Sequence, residues 1–138
     1  CSIFRLLVGA TLVADGTYNV PSWGRGNEAS KEVRSGEIAL EREVSGIIGA
    51  MPFLWLRVDD EPRAESMRGY IERNSIALLS NFKRPPLDPA SDNWLGLRSD
   101  RERVRQSGLW NSNHVDERYD PAFLSCLEEL IAAAGRPP

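Results

Sequence analysis

Glu72 stands among apolar neighbours on a segment with helical periodicity. Between about Arg63 and Asn81, Met67, Ile71 and Leu78 fall at i, i+4 and i+11, while Ile76 and Leu79 lie four and seven residues beyond Glu72. A carboxylate on the shoulder of such a stripe is expected to be half desolvated. Positive charge surrounds it in sequence, because residues 63–105 carry nine basic side chains against six acidic ones while both flanking segments are acidic. Arg63, Arg68, Arg73, Lys83, Arg84, Arg98, Arg101, Arg103 and Arg105 can neutralise phosphates if the fold gathers them near Glu72; otherwise they form a solvated surface of intermixed ion pairs. The single histidine, His114, lies in Asn111-Ser-Asn-His-Val-Asp116. It can orient a phosphate or move a proton, or it can bond backbone carbonyls in an Asn-rich turn.

Other chemistries are excluded by what the chain lacks. Two cysteines and one histidine cannot assemble a structural zinc site, so any metal must be held by oxygen. Serine, cysteine and histidine are too scattered for a nucleophilic triad. No apolar run approaches the roughly 20 residues that span a bilayer, so the chain is expected to be soluble and cytoplasmic with no membrane partner. A length of 138 residues suits one domain, 1–138, with one core. A pI near 5.2 argues against a nucleic-acid coat protein but is compatible with an enzyme touching a few phosphates.

The elements that must position these residues follow from pattern. Ser2 to Ala14 is helical and apolar nearly all round, interrupted by Arg5, and belongs inside a core. A polar, Gly-rich loop is expected over 15–35, with Gly24-Arg25-Gly26 as a turn. A second helix from Glu37 to Met51 carries Leu40, Val44, Ile47 and Ile48 on one stripe. Phe53-Leu-Trp-Leu-Arg-Val58 has the aromatic and β-branched content of a buried strand ended by Asp59-Asp60-Glu61-Pro62, with Trp55 in the core. Proline-rich residues 84–92 form a connector. A last helix begins with Asp120 as N-cap and Pro121 at its first position. It turns Phe123, Leu124, Leu127, Leu130 and Ile131 inward and stops at Gly135. The expected fold is α/β (α+β): a small, mainly helical domain with a central strand at 52–58 packed by helices, the first helix buried against that strand.

Several blocks, in order, resemble a stand-alone bacterial branch of the GIY-YIG nuclease superfamily: Ser2-Ile-Phe-Arg-Leu-Leu-Val-Gly9, Pro52-Phe-Leu-Trp-Leu56, Tyr70-Ile-Glu-Arg-Asn-Ser-Ile-Ala-Leu-Leu-Ser-Asn81, Asn93-Trp-Leu-Gly96 and Ser107-Gly-Leu-Trp-Asn-Ser-Asn-His-Val115. The resemblance implies a metal-dependent endonuclease that hydrolyses DNA phosphodiester bonds. In its pattern Ile-Glu-x-x-x-Ile-x-Leu-Leu, Glu72 is the ligand of one divalent cation, Mg2+ or Mn2+. One carboxylate suits that task, since magnesium keeps most of its waters and takes one or two carboxylates plus phosphate oxygens. The strands bearing the two family tyrosines, and the helix bearing the family arginine, are expected upstream of Cys1, so residues 1–138 read as an N-terminally incomplete domain. Arg5, on a helix in roughly that region, is carried as a second catalytic candidate and His114 as a third. Arg68, Arg73, Lys83 and Arg84 are the candidate substrate contacts. The alternative is a catalytically incomplete module on a related scaffold that binds nucleic acid or another protein.

Overall fold

The computed structural model describes residues 2–25, 30–61, 63 and 65–134. Five helices order the chain: α1 (Ile3–Ala14), α2 (Lys31–Ala50), α3 (Met67–Leu79), α4 (Glu102–Ser107) and α5 (Ala122–Ala134), with a 3-10 turn at Leu95–Arg98 between α3 and α4. No helix among the described residues is long and apolar enough to cross a membrane.

The core forms where α1 meets α2. Leu7, Val8 and Leu12 of α1 are buried, and Leu40 and Val44 of α2, one helical turn apart, cluster with Val8 and Leu12. Phe4 is half-buried and meets Trp110 edge to face, with ring centroids 6.2 Å apart; Trp110 in turn meets Trp94 at 5.2 Å. The 3-10 turn packs between α1 and α4. Trp23 donates its indole N–H to Leu6 O at 3.0 Å and lies so close on Gly9 that a Cβ there would overlap the ring. α2 starts earlier than the periodicity suggested, because Ser30 caps it by accepting from Val33 N–H and Glu32 places negative charge in its first turn.

The expected central strand is absent. Residues 52–59 run without regular structure, and Phe53, Leu54 and Trp55 are 83, 101 and 77% exposed. The described residues contain no β-strand, so the α/β (α+β) expectation is replaced by a helical fold, and Trp55 is not a core residue. The physical reason is that a strand needs another chain segment to take up its N–H and C=O groups, and no described segment does so here. Helix α1 is therefore buried against α2 and the tryptophan-bearing loops instead of against a strand.

Helix α5 packs on α3 but buries only Phe123; Leu124 and Ile131, expected inside, are exposed. Asp120 does cap it, accepting from Ala122 N–H at 3.0 Å. The stop at Gly135, the breaker at Pro62 and the end of the expected turn at Gly26 lie outside the described residues.

Candidate active site

Helix α3 is held at both ends, and that determines where Glu72 stands. At its start Ser66 Oγ accepts from Gly69 N–H and Asp60 Oδ2 accepts from Arg68 N–H, each at 3.0 Å, so two of the free amides of the first turn are satisfied. The Arg68 guanidinium reaches back to Val58 O at 3.0 Å and lies 3.6 Å from Asp60 Oδ1, which docks the extended segment onto the helix. Asn74 is the buried polar residue of α3. It donates to Tyr70 O at 2.8 Å and accepts from Asp120 N–H at 2.7 Å, while Tyr70 Oη donates to Asp120 Oδ2 at 2.8 Å. The two hydrogen bonds to Asp120, from Ala122 N–H and Tyr70, hold its carboxyl below the usual carboxylate range.

At the other end of α3, Arg84 acts as a clamp. Its guanidinium donates to Ala77 O at 3.0 Å, to Glu117 O at 2.8 Å and to Val115 O at 3.4 Å, and Ser80 Oγ donates to Val115 O at 2.6 Å. The turn at 114–117 is thereby fixed against α3. Within it, Glu117 N–H donates to His114 O at 3.2 Å, and His114 adopts a left-handed backbone with φ 59°. His114 Nδ1 lies 2.8 Å from Glu117 Oε1, and Arg73 Nε donates to Glu117 Oε2. These partners, histidine first and arginine second, lower the Glu117 carboxyl below its ordinary value.

Between the start of α3 and this turn lies a groove of about 350 Å³, lined by Arg63, Ser66, Arg68, Gly69, Glu72, Arg73 and His114. Three arginines border it, yet Glu72 makes no hydrogen bond or ion pair with any described residue. Arg68 is committed to Asp60 and Arg73 to Glu117. The Glu72 side chain is exposed, not half desolvated as its apolar neighbours suggested. It lies two residues from buried Asn74, about 200° round the helix, so it faces away from the packed side.

The groove brings together Glu72, Arg68, Arg73 and His114 of the sequence-derived candidates. Others stand elsewhere. Arg5 donates to Glu41 O at 3.1 Å, to the Glu41 carboxylate and to Ser45 Oγ at 2.9 Å, in a separate groove between α1 and α2. Lys83, with φ 53°, holds its ammonium 5.2 Å from the Phe82 ring centre, and Arg84 is the clamp just described. Arg63, one of the basic residues expected to gather near Glu72, also lines the groove, whereas Glu117 was not singled out from the sequence. The His114-x-x-Glu117 spacing was the signal available for it.

Among the described residues no three histidine, cysteine, aspartate or glutamate side chains gather into a metal cluster. One carboxylate with no partner among the described residues, beside a groove of about 350 Å³, nevertheless fits a largely hydrated magnesium or manganese ion.

A family model for the GIY-YIG domain matches residues 1–136, and the chain belongs to that family. GIY-YIG domains are generally nuclease domains that act on DNA and typically use divalent metals. Searches of curated proteins and of solved structures gave no significant match.

Proposed function

We propose that this protein is a metal-dependent endonuclease that hydrolyses DNA phosphodiester bonds, with Glu72 as the protein ligand of a Mg2+ or Mn2+ ion. The observation that carries the reading is the free Glu72 carboxylate in a groove bordered by three arginines. The divalent cation, when bound, supplies Lewis acidity to the phosphate and acidifies its own waters. Arg63, whose guanidinium makes no hydrogen bond or ion pair among the described residues, is available to a phosphate oxygen. Arg68 and Arg73 add positive potential from fixed positions, which orients the DNA backbone along the groove.

The test is Glu72→Gln in the full-length protein, scored on plasmid DNA with Mg2+ and by calorimetry with Mn2+. Removing the charge while keeping shape should lower cleavage by at least about 10²-fold and abolish Mn2+ binding at the site. Glu43→Gln, on the exposed side of α2, is the control and should match the parent. Parent-like cutting by both variants would remove Glu72 from the site and leave the binding-module reading in its place.

A further inference from the structure

We propose that His114 is the general acid of this hydrolysis, donating its Nε2 proton to the leaving oxygen, and that Glu117 is the positioning residue that aims it. The inference rests on the nuclease reading above.

His114 lines the same groove as Glu72, Arg63, Arg68 and Arg73, and it is the only imidazole in the sequence. Glu117 Oε1 engages Nδ1, and Nε2 meets no partner among the described residues. In the imidazolium form Nδ1–H therefore donates to Glu117 and Nε2–H is left for the groove. A carboxylate on one ring nitrogen is the arrangement that orients a working imidazole and supports its positive charge. Glu117 is fixed from its other side by Arg73, so the carboxylate cannot swing away without breaking a second ion pair. The backbone supports the same conclusion. Residues other than glycine seldom occupy positive φ, and here Arg84 and Ser80 hold the next residues of the turn through their carbonyls. The backbone that carries the ring is therefore held by hydrogen bonds and not left to a free loop.

In the step itself, the oxygen of a water bonds to phosphorus as the bond from phosphorus to the leaving oxygen breaks. The electron pair of that bond stays on the leaving oxygen, which takes the Nε2 proton and departs as a hydroxyl. The attacking water's proton passes to solvent, and solvent reprotonates the neutral imidazole, so the net change is the addition of one water.

A bridging sulfur separates acid catalysis from mere architecture, because a thiolate leaves without being protonated. The experiment compares single-turnover cleavage, by the full-length protein with Mg2+, of ordinary DNA and of DNA with sulfur replacing the bridging oxygen on the 3′ or the 5′ side of the scissile phosphorus. His114→Asn is the variant of choice, since Asn tolerates positive φ. It should cut ordinary DNA about 10²-fold more slowly than the parent yet match it within about threefold on one of the sulfur substrates. Glu117→Gln should show the same pattern with a smaller loss, whereas Glu72→Gln should fail on every substrate. Equal losses for His114→Asn on oxygen and sulfur, or no loss at all, would overturn the proposal and leave the nuclease reading to be judged on Glu72→Gln. A parent protein that cuts none of these substrates overturns both.

Discussion

Arg84→Met separates a clamp from a phosphate contact. The guanidinium makes two well-formed hydrogen bonds to backbone carbonyls, on Ala77 at 3.0 Å and Glu117 at 2.8 Å, and a long third one to Val115, which Ser80 also serves. Ala77 O belongs to the last turn of α3, where carbonyls lack partners within the helix. A hydrogen bond to a charged group contributes about 1.5–3 kcal/mol, and Arg84 is only half-buried, so water recovers part of the loss. Methionine keeps the apolar stem and removes the donors. The expected destabilisation is about 2–4 kcal/mol, which for a chain of this size lowers Tm by roughly 8–16 °C. Arg84→Lys should lose about half as much, since one ammonium can serve one of the two principal carbonyls at a time. Thermal unfolding followed by far-UV circular dichroism reads both shifts, with DNA affinity measured on the same samples. A Tm within about 1 °C of the parent, joined to weakened DNA binding, would mean that Arg84 faces phosphate and that the clamp is misassigned.

Gly9→Ala should cost about 1–3 kcal/mol in denaturant titration because the new methyl overlaps Trp23. Gly46→Ala, in α2 with nothing near its Cβ position, should gain about 0.5–1 kcal/mol, and equal effects at the two glycines would contradict the packing described. Phe123→Ala should lose about 3–5 kcal/mol, while Leu124→Ala beside it stays within about 0.5 kcal/mol, since the first is buried and the second exposed. Asp116, Glu117 and Asp120 all titrate below their unfolded values, Asp116 through the Arg103 hydrogen bond above all. Their stabilisation is complete above the ordinary carboxylate range, near pH 4, and is lost as pH falls through it towards the folded values. Tm measured from neutral to acid pH should therefore decline across that range, less steeply in Glu117→Gln; a stability that rises on acidification would reverse the assignment.

Helices were readable from the sequence where their own residues supply the reason. The apolar density of α1, the Leu40 and Val44 stripe of α2 and the Asp120 cap of α5 are local signals, and each is met in the structure. The run at 53–58 misled because apolar content specifies burial only when something is there to bury against, and a strand's hydrogen bonds depend on distant chain that periodicity does not reveal. Glu72 was legible as a position on α3, but its exposure was misjudged: buried Asn74 lies on the same face as Met67, Ile71 and Leu78, and Glu72 stands about 200° round the helix from it rather than on the shoulder of that face. The His114 to Glu117 contact lay within reach of spacing. The Arg73 to Glu117 pair and the Arg84 clamp join residues 44 and 31 to 33 positions apart, and no local pattern announces them.

Of the chain's four tryptophans, Trp55 alone projects largely into water, on the unpaired stretch with Phe53 and Leu54, while Trp23, Trp94 and Trp110 are partly enclosed. That difference makes the extended segment an optical reporter. Trp55 contributes the most red-shifted and most quencher-accessible part of the intrinsic emission, and Trp55→Phe subtracts it while leaving the aromatic cluster of Phe4, Trp94 and Trp110 untouched. Any chain segment or ligand that comes to lie along residues 53–55 would shift that component to the blue and shield it from iodide, so the covering of this stretch can be followed in solution without a label.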